Sequence, residues 1–148
     1  MRARVVLGVM AVLGAVVVAC DDRVGGPPEV SDARVGAPTG PNAALYLNAE
    51  GAEADRLVEA RSSVASEIQI HESTTGDDGT TRMRAVDGLD LRADETLVLE
   101  PGGYHLMLID VERLQVGDEI DVTLVWENAG VWTISAQVVE PGDTMSHD

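Results

Sequence analysis

Apolar and polar residues alternate with a period of two over most of the chain, in short stretches separated by turn residues. Residues 43–49 (AALYLNA) and 67–72 (EIQIHE) carry this alternation, which is the signature of half-buried strands, and residues 30–37 are a plausible first strand ended by Pro38-Thr39-Gly40-Pro41. Over residues 67–72, Ile68 and Ile70 alternate with Gln69 and His71. Residues 73–79 (STTGDDG) are turn chemistry, and 80–86 run back as a partner strand. Residues 96–99 predict a further strand, ended by Pro101-Gly102-Gly103. Residues 120–127 and 131–139 predict a hairpin across Asn128-Ala129-Gly130. Residues 57–65 are ambiguous, because their alanines and glutamate also support a short helix. No long amphipathic helix and no internal repeat is present. Many short strands and many turns predict an all-β domain over residues 29–140, a sandwich or Greek-key barrel with a core of valine, leucine and isoleucine. Trp126 and Trp132 flank the last hairpin turn, and packing in the core or at the barrel end explains them better than stacking on a ligand.

The two ends of the chain depart from this pattern. Arg2 and Arg4 precede an unbroken apolar run over residues 5–18. Such a run is shorter than the about 20 residues a spanning helix needs, and behind a basic start it reads as a secretory signal over residues 1–19. It ends in Val17-Val18-Ala19-Cys20, which resembles the bacterial lipobox. This implies lipidation of Cys20 and an extracytoplasmic, membrane-tethered protein; ordinary signal cleavage would instead leave a free thiol. Residues 20–28 hold two glycines and two prolines and read as the tether. Residues 141–148 form a polar tail.

Charge and cysteine content then narrow the chemistry. The chain has ten basic residues, all arginine, against 26 acidic ones, for a net charge of −16. Loss of the signal would deepen this to −18. Such a chain repels nucleic acid and anionic lipid headgroups and attracts cations only diffusely. Cys20 is the single cysteine. No intrachain disulfide and no paired-thiolate metal site can form, and a blue-copper centre, which needs a thiolate with two histidines, is excluded from the domain. A carrier of a soft metal in an oxidising compartment would have to use thioethers.

With Met1 and Met10 in the signal segment, the soft and borderline ligands that remain fall in two places. His71, Met83, His105 and Met107 make one group; Met145 and His147 in the tail make the other. Taken singly, each histidine is explained as a strand-surface residue and each methionine as core filler. Taken together they can converge. His71 and Met83 stand on either side of the turn near Asp77, so they can lie opposite each other on paired strands. His105 and Met107 are two apart and point the same way in extended backbone. Gly102 and Gly103 allow a sharp approach of that segment. Two imidazoles and two thioethers suit Cu(I), give zinc little beyond the histidines, and do not suit oxygen-seeking ions. The tail pair reads either as an ancillary capture arm for metal or as incidental residues in a polar tail.

The order His, eleven residues, Met, twenty-one residues, His-x-Met is similar to the signature of the PCuAC family of periplasmic copper chaperones. Residues 44–48 (ALYLN), 55–58 (DRLV), 67–72 (EIQIHE), 101–108 (PGGYHLML) and 116–118 (VGD) resemble other stretches of that family, so the likeness extends over roughly residues 30–139. It implies a cupredoxin-like fold, a Cu(I) site at His71, Met83, His105 and Met107, and a chaperone role in assembling the dinuclear copper centre of cytochrome c oxidase. One departure is Glu72, where many family members carry methionine directly after the first histidine; it puts a fifth ligand there in doubt.

Two other classes compete. A metal-free envelope lipoprotein acting as an interaction module would explain the fold and the anchor but not the histidine–methionine set. An enzyme is disfavoured: no nucleophile elbow is present, and this ligand set resists redox cycling. The expectation is a non-enzymatic carrier.

Overall fold

The computed structural model describes residues 26–143. The signal segment, Cys20, most of the tether, Met145 and His147 lie outside the described residues. Ten strands and no helix occur among the described residues, which are therefore all-β. In chain order they are β1 (Glu29–Gly36), β2 (Ala43–Glu50), β3 (Asp55–Arg61), β4 (Glu67–Thr75), β5 (Thr81–Ala85), β6 (Leu89–Leu91), β7 (Thr96–Leu99), β8 (Tyr104–Ile109), β9 (Glu119–Trp126) and β10 (Gly130–Val139).

Eight strands close into a barrel in the order β4-β8-β7-β2-β1-β10-β9-β3, with Ala60 of β3 paired to Ile68 of β4 as the closing contact. β5 extends the sheet beyond β4, and β6 extends it beyond β3. The connections from β2 to β3 and from β8 to β9 join strands that are not sheet neighbours, so hydrogen-bonded neighbours are often distant in sequence.

Alternation decides what fills the interior. Ala43, Leu45, Leu47 and Ala49 of β2 are buried, while Ala44, Tyr46 and Asn48 between them are only half-buried. Ile120, Val122, Leu124 and Trp126 of β9 repeat the pattern, as do Ile68 and Ile70 of β4 and Leu106 and Leu108 of β8. Each fully buried leucine contributes about 1.5–3 kcal/mol relative to exposure, so the barrel interior holds the fold together without any contribution from the opposite face.

Turn chemistry sets the corners. Gly102 (φ 83°) and Gly130 (φ 83°) occupy the left-handed region that disfavours a Cβ, the first before β8 and the second at the β9–β10 turn. That hairpin is also pinned from outside. Asp55 at the start of β3 accepts the backbone N–H groups of Asn128 and Ala129, both at 2.9 Å, and that of Arg56 at 2.7 Å. Burial alone would push the Asp55 carboxyl up, but these N–H groups and the Asn128 side-chain amide together hold it below the ordinary aspartate value.

The structure settles one open stretch, adds one strand that the sequence did not signal, and separates the two tryptophans. The ambiguous stretch is a strand, not a helix: Leu57 and Ala60 face the core across a bulge opposite β9, and pairing with both β9 and β4 satisfies its backbone. β6 carries two buried leucines in only three residues, too few for a periodic signal. The two tryptophans part company. Trp126 is buried in the core, whereas Trp132 is exposed and donates its indole N–H to the Ala129 carbonyl at 2.7 Å; it caps the turn from outside rather than packing within the barrel.

Candidate metal centre

The site lies on the outer face of the β5-β4-β8 sheet. Because Ile70, Leu106 and Leu108 point inward, their neighbours Gln69, His71, His105 and Met107 point outward. β4 and β8 are paired with His71 directly opposite His105 and Gln69 directly opposite Met107. β5 is paired to β4 with Ser73 opposite Met83 and His71 opposite Ala85. Directly opposed residues share a face, so all four of His71, Met83, His105 and Met107 stand on one face.

His71 is the hub of this arrangement. His105 is its direct partner, Met107 its diagonal neighbour on β8, and Met83 its diagonal neighbour on β5. Diagonal positions lie roughly 7–8 Å apart and are bridged by long side chains. The expectation that Met83 would stand directly opposite His71 is corrected: the β4–β5 register places Met83 opposite Ser73. The consequence is that the two thioethers approach the imidazole pair from opposite ends.

The two rings are 5.5 Å apart, centroid to centroid, and meet edge to face at 77°. Two imidazole nitrogens that share a metal at about 2.0–2.1 Å each place their ring centroids about 6 Å apart or slightly closer, so the observed spacing accommodates one ion. His105 is only 2 % exposed although it faces away from the core. The rings of Tyr46, 6.1 Å away, and His71 cover it. Its Nδ1 lies 3.4 Å from the Gly103 carbonyl, and its Nε2 is buried without a hydrogen-bond partner among the described residues. The Nδ1 of His71 is in the same condition. A buried polar atom without a partner is costly, and here two such nitrogens stand on facing rings.

Electrostatics keep these rings available as ligands. Desolvation lowers the His105 pKa, the proximity of His71 adds to this, and the Gly103 carbonyl opposes it. His105 is therefore neutral at physiological pH, the form in which imidazole binds metal. Burial also raises the Tyr46 phenol, which stays protonated over the same range.

Among the described residues no group of three or more His, Cys, Asp or Glu gathers in a form that could hold a metal. A donor set here has to combine the two histidines with thioethers. Met107 is half-buried and Met83 is 52 % exposed, in the middle of a strand whose five residues are all exposed. Glu72 is not a fifth donor. It points to the opposite face of β4, where it accepts from Arg84 Nε at 2.9 Å and Nη2 at 2.5 Å.

Residues 28–138 match the profile of the family described as "Putative lipoprotein LpqE-like". The chain belongs to this LpqE-like family. A curated relative, "Putative lipoprotein Lxx21020" of Leifsonia xyli subsp. xyli (strain CTCB07), is 36 % identical over 83 residues, which cover 55 % of this chain and 50 % of that protein. The LpqE-like chain thus spans about half the length of the curated relative it matches. Among solved structures it is similar to the copper-bound PCuAC domain from PmoF2 (TM-score 0.65, 27 % identity, covering 79 % of this chain and 96 % of that one). The apo PCuAC domain from PmoF1 gives a TM-score of 0.68 at 25 % identity, over 79 % and 97 % of the two chains. Cu(I)-bound DR1885 from Deinococcus radiodurans gives 0.59 at 28 %, over 79 % and 77 %. The LpqE-like barrel therefore has the cupredoxin-like fold of PCuAC domains.

Sequence reasoning missed two contributors. Tyr46 covers His105 from β2, a strand with no ligand of its own; only the tertiary pairing of β2 with β8 brings it there. Gln69 touches His71 within one strand, and its position two residues before a candidate ligand was the available signal.

Proposed function

We propose that this protein is an extracytoplasmic, lipid-anchored carrier of one Cu(I) ion, bound by His71, Met83, His105 and Met107, and that it acts by metal transfer rather than by catalysis. The observation that carries this reading is that two neighbouring imidazole rings each hold a buried nitrogen without a partner among the described residues, Nδ1 of His71 and Nε2 of His105, flanked on the same sheet face by two thioethers. All four ligands are uncharged, so binding adds a single positive charge, a pattern that favours the monovalent soft ion. The copper-bound relatives of the same fold support it, and membership of a lipoprotein family supports the anchor at Cys20.

Transfer would proceed by ligand exchange, and the exposure of the ligands sets its order. Met83 lies at a sheet edge and is half-exposed, whereas His105 is sealed. An acceptor's ligand would displace Met83 first and His105 last. Assembly of the dinuclear copper centre of cytochrome c oxidase is the acceptor role that fits the PCuAC likeness. Met145 and His147 would serve only as ancillary capture ligands, so removal of residues 146–148 should leave one-to-one stoichiometry.

A Cu(I) titration against a competing chelator, with X-ray absorption at the copper edge, tests this. One ion with two nitrogen and two sulfur neighbours is expected, lost in His71→Ala and weakened in Met107→Ala. Ag(I) should compete and Zn(II) should not. A domain that stays copper-free would support the metal-free interaction module instead.

A further inference from the structure

We propose that Gln69 is a positioning residue: clamped by Glu67, it holds His71 as the Nε2–H tautomer and so presents the Nδ1 lone pair to the metal. The inference rests on the carrier reading above and extends it to a residue outside the ligand set. Glu67, Gln69 and His71 occupy alternate positions of β4 and therefore one face of the sheet. The Gln69 Nε2 lies 3.2 Å from Glu67 Oε2, and the Gln69 Oε1 lies 2.8 Å from His71 Nε2.

The chain of hydrogen bonds has only one consistent direction. An ionised carboxylate accepts and cannot donate. The end of the Gln69 amide that faces Glu67 must therefore be its NH2 group, which leaves the amide oxygen facing His71. That oxygen can only accept, so His71 Nε2 must carry the hydrogen. A neutral imidazole has one N–H, and Nδ1 is left with a lone pair. This is the atom of His71 that is buried without a partner among the described residues.

His105 is held the other way round. Among the described residues the acceptor at its ring is the Gly103 carbonyl, 3.4 Å from Nδ1, and Nε2 is left bare. The two histidines thus offer different nitrogens. The Nδ1 of an imidazole is closer to its own backbone than Nε2 is, so an ion held by His71 Nδ1 sits low over β4. From there His105 on β8 and Met83 on β5, the strands on either side, are both neighbours. An Nδ1–H tautomer of His71 would turn an N–H toward the same space and oppose a cation. Groups that hydrogen-bond the far side of a ligating imidazole typically alter metal affinity by about 10–100-fold.

The test reads the ring directly in the metal-free protein by long-range proton–nitrogen NMR. Wild type should show His71 with Nε2 protonated and Nδ1 bare. Gln69→Leu, which keeps a side chain of similar size beside Met107, should release a mixture of tautomers and lower Cu(I) affinity about 10–100-fold with an unchanged unfolding midpoint. Gln69→Glu retains an acceptor for the Nε2 hydrogen but loses the bond to Glu67, so it should keep the wild-type tautomer and recover only part of the affinity lost in Gln69→Leu. Wild-type His71 protonated at Nδ1 would overturn the proposal, and so would a Gln69→Leu protein with unchanged tautomer and affinity. Failure of wild type to bind Cu(I) would sink the carrier reading separately, because the tautomer is read without metal.

Discussion

The two faces of β4 and β8 are made by the same strands, yet they differ in kind. Inward, Ile68, Ile70, Leu106 and Leu108 are sealed in the barrel. Outward, one residue along, the soft and borderline donors His71, His105 and Met107 stand beside Gln69, as neighbours of one another across the strand pair and with Gln69 bonded to His71 along β4. One face stabilises and the other carries the candidate metal centre. Because a pleated strand sends alternate side chains to opposite sides, the site adds its chemistry without interrupting the core. Its cost is two buried ring nitrogens, His71 Nδ1 and His105 Nε2, without partners among the described residues, which a bound cation would relieve.

Substitution on each face should break this division in opposite ways. Leu106→Ala is expected to cost about 2–5 kcal/mol of stability, read as a fall in the urea midpoint, and to weaken copper binding only through loss of folded protein. His105→Ala is expected to lower Cu(I) affinity by about two orders of magnitude, or ~2.7 kcal/mol, while the metal-free midpoint stays close to wild type. If His105→Ala unfolded the domain as Leu106→Ala does, the two faces would not be separable.

A loss of intermediate size tests the anchor of the β9–β10 hairpin. Asp55→Ala removes the acceptor for Asn128 and Ala129 and should cost roughly 1–3 kcal/mol of stability, with copper affinity unchanged. The Asp55 carboxyl is held below its ordinary value, so its contribution is present above pH ~4 and is lost as the pH falls through the lower folded-state value. The acid limb of stability should flatten in the Asp55 variant.

His105 has the opposite linkage. Its folded pKa lies below the ordinary 6.5, so the unfolded chain takes up a proton that the folded chain refuses. The metal-free domain should lose stability as pH falls through about 6.5, with the loss complete below the folded value. Denaturation midpoints at pH 7.5 and 5.5 should differ less in His105→Gln than in wild type. The smallest effect is expected at Met83→Leu. Because Met83 is half-exposed on an edge strand, stability should move by less than about 0.5 kcal/mol, while copper exchange with a competing chelator should become faster.

The all-β class, most strand positions (though not β3 or the three-residue β6) and the candidate ligand set were legible along the chain. The reason is that each depends on local pattern: period-two alternation, turn residues, and the confinement of histidine and methionine to a few positions. That His71, Met83, His105 and Met107 share a face also follows from parity once the pairings are known. Which residue opposes which is set by register, and register is a property of two segments together. The pairing of Ser73 with Met83, the cover of Tyr46 over His105 and the outward turn of Trp132 therefore depended on the closed barrel. So did the two bare nitrogens: a sequence names a histidine, but only packing from other strands decides which of its ring atoms is left without a partner.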